Sequence, residues 1–231
     1  MSLRDDLVNA NHILYAHRVV DAFGHVSVRD DRDPEAFVLA RNMAPSLVRE
    51  PDLMRFAFDG TVRDGDARSP YLERFIHGSI YRARPDVGAV VHSHAPSVIP
   101  FGIVRDAPLR PVWHMSAFLG EDVPVFEIRD AAGDASDLLV RDAPTGDALA
   151  RALGGGNAVL MRGHGATVVG RDVREAVFRA VYLALNAQLQ ADAMRLGTVA
   201  YLSAGEAETA TRTIATQIER AWNLWTAEEV G

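Results

Sequence analysis

Val87-Gly88-Ala89-Val90-Val91-His92-Ser93-His94-Ala95 is the stretch on which the fold turns. Its first residues are apolar and largely β-branched, the composition of a buried strand, and they run into two histidines two positions apart. Positions i and i+2 of a strand face the same way, roughly 7 Å apart along the backbone, so both imidazoles can reach one divalent cation. A polar strand end is the plainer reading. Metal ligation is favoured here, because a core strand rarely ends in two same-face histidines without a use for them.

Outward from this strand, the chain alternates between the two hydrophobic periods. Residues 71–84 have the apolar spacing of an amphipathic helix (Leu72, Phe75, Ile76, Ile80), broken at Pro85. Residues 2–22 also carry helical spacing and stop before Gly24. Residues 24–29 alternate like a strand, and 36–41 read as its hairpin partner across a turn at 30–34. A short helical stretch lies within 45–56, followed by a strand over 54–58 that closes at Asp59-Gly60. Downstream, the patterns predict a short helix over 95–101 and two short strands around Gly120 within 112–129. A helix over 145–153 then stops at Gly154, Gly155 and Gly156. Strands over 157–161 and 166–169 follow, and long helices over about 172–196 and 203–227. Hairpin-like strand pairs mixed with helices imply an α/β sandwich with a largely antiparallel sheet, not a doubly wound one. The triple glycine follows a helix instead of preceding one, so it reads as a cap and not as a phosphate loop.

Composition narrows the function. The chain has 231 residues, of which 48% are hydrophobic and 24% charged, with no linker-like tract or internal repeat. One domain over residues 1–231 is expected. The net charge is −7 and the basic residues are scattered, so no nucleic-acid partner is expected. With no cysteine present, a metal site must be built from histidine and carboxylate. The N-terminus lacks an apolar signal core and no apolar run approaches the ~20 residues of a membrane helix. A cytoplasmic protein with no membrane partner is the expectation.

His164 stands between Gly163 and Gly165, which free the backbone for unusual angles and close approach to a ligand. A solvent-facing turn histidine is the plainer reading. Taken with His92 and His94 it makes three nitrogen ligands, which leaves positions open, the pattern of a catalytic site. Glu73 lies one helical turn before His77. From spacing alone, Glu73 reads marginally better as an ordinary first-turn acid, and His77 as a packing or supporting residue. His12 and His17 read as surface or packing residues. His114, between Trp113 and Met115, is either a core histidine or an acid/base group.

Glu73, the run Ile80-Tyr81-Arg82-Ala83-Arg84-Pro85-Asp86-Val87, then His92-Ser93-His94 and Arg162-Gly163-His164-Gly165 together resemble the class II aldolase/adducin family. The likeness spans roughly residues 5–200. It implies a three-layer α/β/α sandwich around a mostly antiparallel central sheet, and a homotetramer with active sites at subunit interfaces. It also implies one divalent metal ion per subunit, with His92, His94 and His164 as ligands. Glu73 then takes the acid/base role, which displaces its plainer reading. Three imidazoles with oxygen ligands suit Zn2+, while an oxygen-rich chelating substrate also suits Mn2+, Fe2+ or Co2+.

The departures from the family pattern point to the substrate. Its sugar-phosphate aldolases hold phosphate with a Gly-Asn-Ser-type loop and a Ser-Ser pair before the glutamate. Here the loop reads Gly24-His25-Val26-Ser27, and Tyr71-Leu72 precedes Glu73. These runs, with Trp113-His114-Met115 and residues 220–225, are similar to a branch that decarboxylates hydroxylated aromatic or pyridine dicarboxylates. The two tryptophans of that last segment read as docking into a core or subunit interface. The resemblance thus implies a metal-dependent decarboxylase, a carbon–carbon lyase, acting on a small hydroxylated aromatic or heteroaromatic carboxylate through a metal-stabilised enolate. Glu73 or His114 would protonate the ring carbon. His25, Arg41 and Tyr71 are the substrate-binding candidates, Arg41 as a carboxylate fork, although a surface arginine fits it equally. The alternative is a class II aldolase for a small hydroxy-carbonyl or sugar-phosphate substrate. A non-catalytic, adducin-like assembly domain is disfavoured by the presence of all three histidines and Glu73.

Overall fold

Ser2 opens the first helix, α1 (Leu3–Ala16), with a reciprocal cap: its Oγ accepts from the Asp5 N–H and the Asp5 carboxylate accepts from the Ser2 N–H. The computed structural model describes residues 2–229. The helix ends well short of residue 22. Arg18 turns into the left-handed region (φ +57°), the Arg18 N–H returns to Tyr15 O, and the Val19 N–H returns to Leu14 O, both at 2.9 Å. This is a Schellman stop, whose left-handed position usually holds glycine.

The hairpin β1 (His25–Arg29) and β2 (Ala36–Ala40) is followed by two short 3-10 turns and β3 (Leu53–Ala57). Next come α2 (Arg74–Ala83), β4 (Ala89–Ser93), α3 (Ile99–Ile103), β5 (Val125–Phe126) and α4 (Arg129–Ala132). The chain closes with α5 (Ala143–Leu153), β6 (Ala158–Met161), β7 (Gly165–Gly170), α6 (Val173–Leu196), α7 (Ala204–Ala215) and α8 (Ile218–Glu229). The strands form one sheet in the order β3-β2-β1-β4-β7-β6-β5, antiparallel except for the parallel β5–β6 pair. Helices α2 and α5 pack together on one face; α1, α6 and α8 pack together on the other. The result is a three-layer α/β/α sandwich around a mostly antiparallel sheet. No helix among the described residues is long and apolar enough to cross a membrane.

Two segments differ from the patterns read in sequence. Around Gly120 there is no strand pair: residues His114–Leu119 form a 3-10 helix, and only the two residues of β5 pair with the sheet. The backbone before them is satisfied by buried α6 side chains instead. Asn186 accepts from the Val112 N–H and donates to Arg110 O, while Gln190 accepts from the Arg110 N–H and donates to Pro108 O. The last long helix is two helices. Near the break, Thr211, Thr213 and Thr216 turn their hydroxyls onto carbonyls three or four residues back, a bond that weakens and bends helices. Trp222 and Trp225 dock into the core, Trp225 against His17, Phe178 and Tyr182.

The central strands place the functional residues. His25 on β1 stands opposite His92 on β4, and His92 stands opposite Thr167 on β7. The absence of a side chain at Gly165 lets β7 close on β4: a Cβ there would lie 2.0 Å from Ser93 O. Gly163 (φ +67°) makes the turn that delivers His164 to the same end of the sheet.

Candidate metal centre

Four side chains converge where β4 ends. His94 Nε2 lies 2.9 Å from both His92 Nε2 and His164 Nε2. Glu73 Oε2 lies 3.5 Å from the Nε2 atoms of His92 and His164. All four donor atoms fall within 4.8 Å of one another, so the cluster could hold a metal ion. The three rings cannot satisfy themselves. A proton on His94 Nε2 can point at one neighbour, which leaves another lone pair facing it without a donor, and a cation resolves that conflict. Nitrogens 2.9 Å apart also suit ligands that each sit about 2.0–2.1 Å from one ion. The residues present therefore fit a divalent metal.

The electrostatics favour ligation. Burial holds His92 below the ordinary histidine range and, together with His92 and His164, pushes His94 down to about 4, so these imidazoles are neutral near pH 7 with lone pairs free. Burial would raise the Glu73 carboxyl, but the His92 and His164 rings beside it outweigh that and hold it below the usual carboxylate range. Glu73 sits at the cap position just before α2, yet its side chain makes no cap bond. It turns into the site instead, where Oε1 accepts the Val140 N–H at 3.0 Å.

A cavity of about 380 Å³ opens beside Glu73 and His94, walled by Phe23, His25, Tyr71, Leu72 and Leu139. Tyr71 offers its ring: its hydroxyl donates to Met43 O, and the ring packs against His25 at a tilt of 45°, with centroids 4.7 Å apart. Burial raises that phenol to about 12, so it stays neutral. His25 is the outer member of a buried chain. Its Nδ1 lies 2.7 Å from His77 Nε2, His77 Nδ1 lies 2.6 Å from Ser27 Oγ, and Ser27 Oγ lies 2.8 Å from the Tyr81 hydroxyl.

Two candidates stand elsewhere. Arg41 directs its Nε to Asp52 at 2.8 Å and is not among the residues walling this cavity. His114 is exposed at the start of its 3-10 helix and faces α7, lining a different cavity with Leu202, Thr209 and Ile214. Sequence reading did not find Val140 or the Ser27 and Tyr81 links. A backbone donor carries no sequence signal, and the β1–α2 partners are 50 and 54 residues apart.

Residues 5–191 match the family model for the class II aldolase and adducin N-terminal domain. The chain is 36% identical to decarboxylase tropJ of Talaromyces stipitatus, over 96% of this chain and 91% of that protein. It is 29% identical to the 3,4-dihydroxyphthalate decarboxylase of Arthrobacter keyseri, over 77% and 73% of the two chains. The fold superimposes on L-fuculose 1-phosphate aldolase from Glaciozyma antarctica with a TM-score of 0.79 and 23% identity, covering 98% of this chain and 89% of that one. The chain belongs to the class II aldolase and adducin N-terminal domain family.

Proposed function

We propose that the chain is a divalent-metal-dependent carbon–carbon lyase that decarboxylates a small hydroxylated aromatic or heteroaromatic carboxylate. The observation that carries this reading is the convergence of Glu73, His92, His94 and His164 on a cavity walled by ring faces and aliphatic side chains. The decarboxylase names of tropJ and of the dihydroxyphthalate enzyme support it. Leu185, Leu189 and Leu196 stay exposed on α6 and support self-association, as a homotetramer.

His92, His94 and His164 would hold the metal through Nε2. A bound divalent ion supplies Lewis-acid stabilisation of the negative charge that develops as the carbon–carbon bond breaks. Phe23, Tyr71, Leu72 and Leu139 clasp the flat ring and displace water from it. Glu73, ionised at rest, accepts the proton of the ring hydroxyl at Oε2 and returns it to the ring carbon that CO2 leaves. Val140 keeps Oε1 occupied, so the carboxylate cannot rotate out of line. When protons in the buried chain run from Tyr81 through Ser27 and His77 to His25 Nδ1, His25 Nε2 carries a hydrogen and serves as a donor to the substrate hydroxyl or carboxylate.

The test is a substrate panel on the purified chain with Mn2+ or Zn2+. Release of CO2 from 3,4-dihydroxyphthalate, without cleavage of L-fuculose 1-phosphate, is expected. Cleavage of the sugar phosphate with no CO2 from the aromatic acid would establish the aldolase reading instead.

A further inference from the structure

By distance alone the chain His25–His77–Ser27–Tyr81 could be hydrogen-bonded in either direction, because its links of 2.6–2.8 Å join groups that can both donate and accept. Burial holds both histidines well below their ordinary range, so each carries a single ring hydrogen near pH 7. Only one direction then gives every hydrogen an acceptor. The inner end is closed: Tyr81 is 1% exposed and packs against the rings of Phe37 and Phe58. Burial raises its phenol, so the hydroxyl keeps its hydrogen. Among the described residues that hydrogen has one acceptor, Ser27 Oγ, because the Val90 N–H at the phenol oxygen is itself a donor. In the opposite direction Ser27 would donate to Tyr81 and leave the phenol hydrogen without an acceptor, at a cost of about 1–3 kcal/mol. Ser27, itself fully buried, therefore donates to His77 Nδ1, and His77 Nε2–H donates to His25 Nδ1. The outer end is open. His25 lines the cavity beside Glu73, and its Nε2 makes no hydrogen bond among the described residues.

We propose that Ser27, buried behind His77 and not among the residues walling the cavity, is a positioning residue that fixes His25 as an obligate hydrogen donor to the substrate. With Nδ1 already accepting from His77 and a hydrogen on Nε2, His25 has no lone pair with which to take a proton. That leaves Glu73 as the base of the site. The substrate group that meets His25 must be an acceptor, an ionised carboxylate or an oxygen that carries no hydrogen. The proposal rests on the decarboxylase reading only in taking this cavity as the substrate site. Tyr81 plays the lesser part: if its hydroxyl is removed, Ser27 still has His77 Nδ1 as its acceptor and the direction stands. If the Ser27 hydroxyl is removed, His77 Nδ1 faces neither donor nor acceptor, and the bias on His25 is lost.

Neutron diffraction from crystals of the deuterium-exchanged, Zn2+-loaded chain reads these hydrogens directly and needs no substrate. Deuterium is expected on His25 Nε2 and His77 Nε2 and on neither Nδ1; deuterium on His25 Nδ1 overturns the proposal. A kinetic arm compares Ser27→Ala with Tyr81→Phe by CO2 release from 3,4-dihydroxyphthalate. Ser27→Ala should raise KM about two- to tenfold, the worth of one hydrogen bond, with kcat within about twofold and metal content unchanged. Tyr81→Phe should keep the wild-type KM, although it too removes a buried hydroxyl. Equal losses in the two variants would give Ser27 a structural role only, and an unchanged KM in Ser27→Ala would separate it from the site; either result overturns the proposal. A wild type that releases no CO2 counts against the decarboxylase reading, and the neutron positions then decide for Ser27 on their own.

Discussion

Val140 donates its backbone N–H to Glu73 Oε1 at 3.0 Å across 67 residues of chain, and Oε2 of the same carboxylate faces His92 and His164 at 3.5 Å. One oxygen is thus an anchor and the other is the working atom. Glu73→Gln keeps an acceptor for Val140 but removes the proton carrier. Turnover should fall by about 10²- to 10⁴-fold, with folding stability within about 1 kcal/mol of wild type. Glu73→Ala should add a stability loss of about 1–3 kcal/mol by orphaning the buried N–H. Steady-state rates and urea melts check both, and near-wild-type turnover in Glu73→Gln would remove Glu73 from the chemistry.

The His25–His77–Ser27–Tyr81 chain predicts a different signature. His77→Leu leaves the buried His25 Nδ1 without its partner, while Ser27 keeps Tyr81, at a cost of about 1–3 kcal/mol. It should lower kcat/KM because His25 loses its imposed tautomer, while metal content stays unchanged. Metal analysis beside kinetics distinguishes this from damage to the cluster; loss of metal would place His77 in the ligand support instead.

Acid should destabilise the metal-free chain through its buried histidines, with His92 and His94 adding to the pair His25 and His77. Burial pushes His77 down to about 3, and burial, with His77 adding, holds His25 well below its ordinary 6.5. Below about 6.5 the unfolded chain takes up protons that the folded chain refuses, so stability falls as pH falls from there toward the folded values. Above that point neither histidine contributes a slope. Each should cost about 1.4 kcal/mol per pH unit inside the window. Urea midpoints at about pH 7 and about pH 5 should differ accordingly, and equal midpoints would mean that the pair takes up protons without penalty.

Gly165→Ala tests how the sheet delivers His164. The new Cβ would stand 2.0 Å from Ser93 O and 3.1 Å from the His94 Cα, and backbone cannot move aside as a flexible side chain can. The strands must part, at a cost on the order of 1–3 kcal/mol. Metal occupancy should drop in parallel, because the same shift separates His164 from His92 and His94. A stable variant with full occupancy would show that the close approach is not what holds the cluster together.

How much of this was legible in the chain depends on distance. The strand ending in His92 and His94, the β1–β2 hairpin and the glycine-flanked His164 are local patterns, and each appears in the structure near its expected place. The end of α1 was hidden because Arg18 occupies a glycine position. The break between α7 and α8 was hidden because threonine hydroxyls, not proline or glycine, loosen the helix there. The segment around Gly120 looked strand-like because its backbone partners are the side chains of Asn186 and Gln190, more than 70 residues later. The same holds at the site. His77 was visible as a residue one turn beyond Glu73, but its pairing with His25 exists only once β1 and α2 meet. Arg41 reads equally as a carboxylate fork or a surface arginine in the sequence, and the partner of its Nε–H in the fold, Asp52, lies 11 residues away.

The most direct test of the central claim is metal content by elemental analysis after dialysis against a trace of Mn2+ or Zn2+. The wild-type chain should retain one ion, and the His92→Ala, His164→Ala double variant should retain almost none while remaining folded by circular dichroism. Full occupancy in that folded double variant would contradict the assignment of His92, His94, His164 and Glu73 as the metal centre.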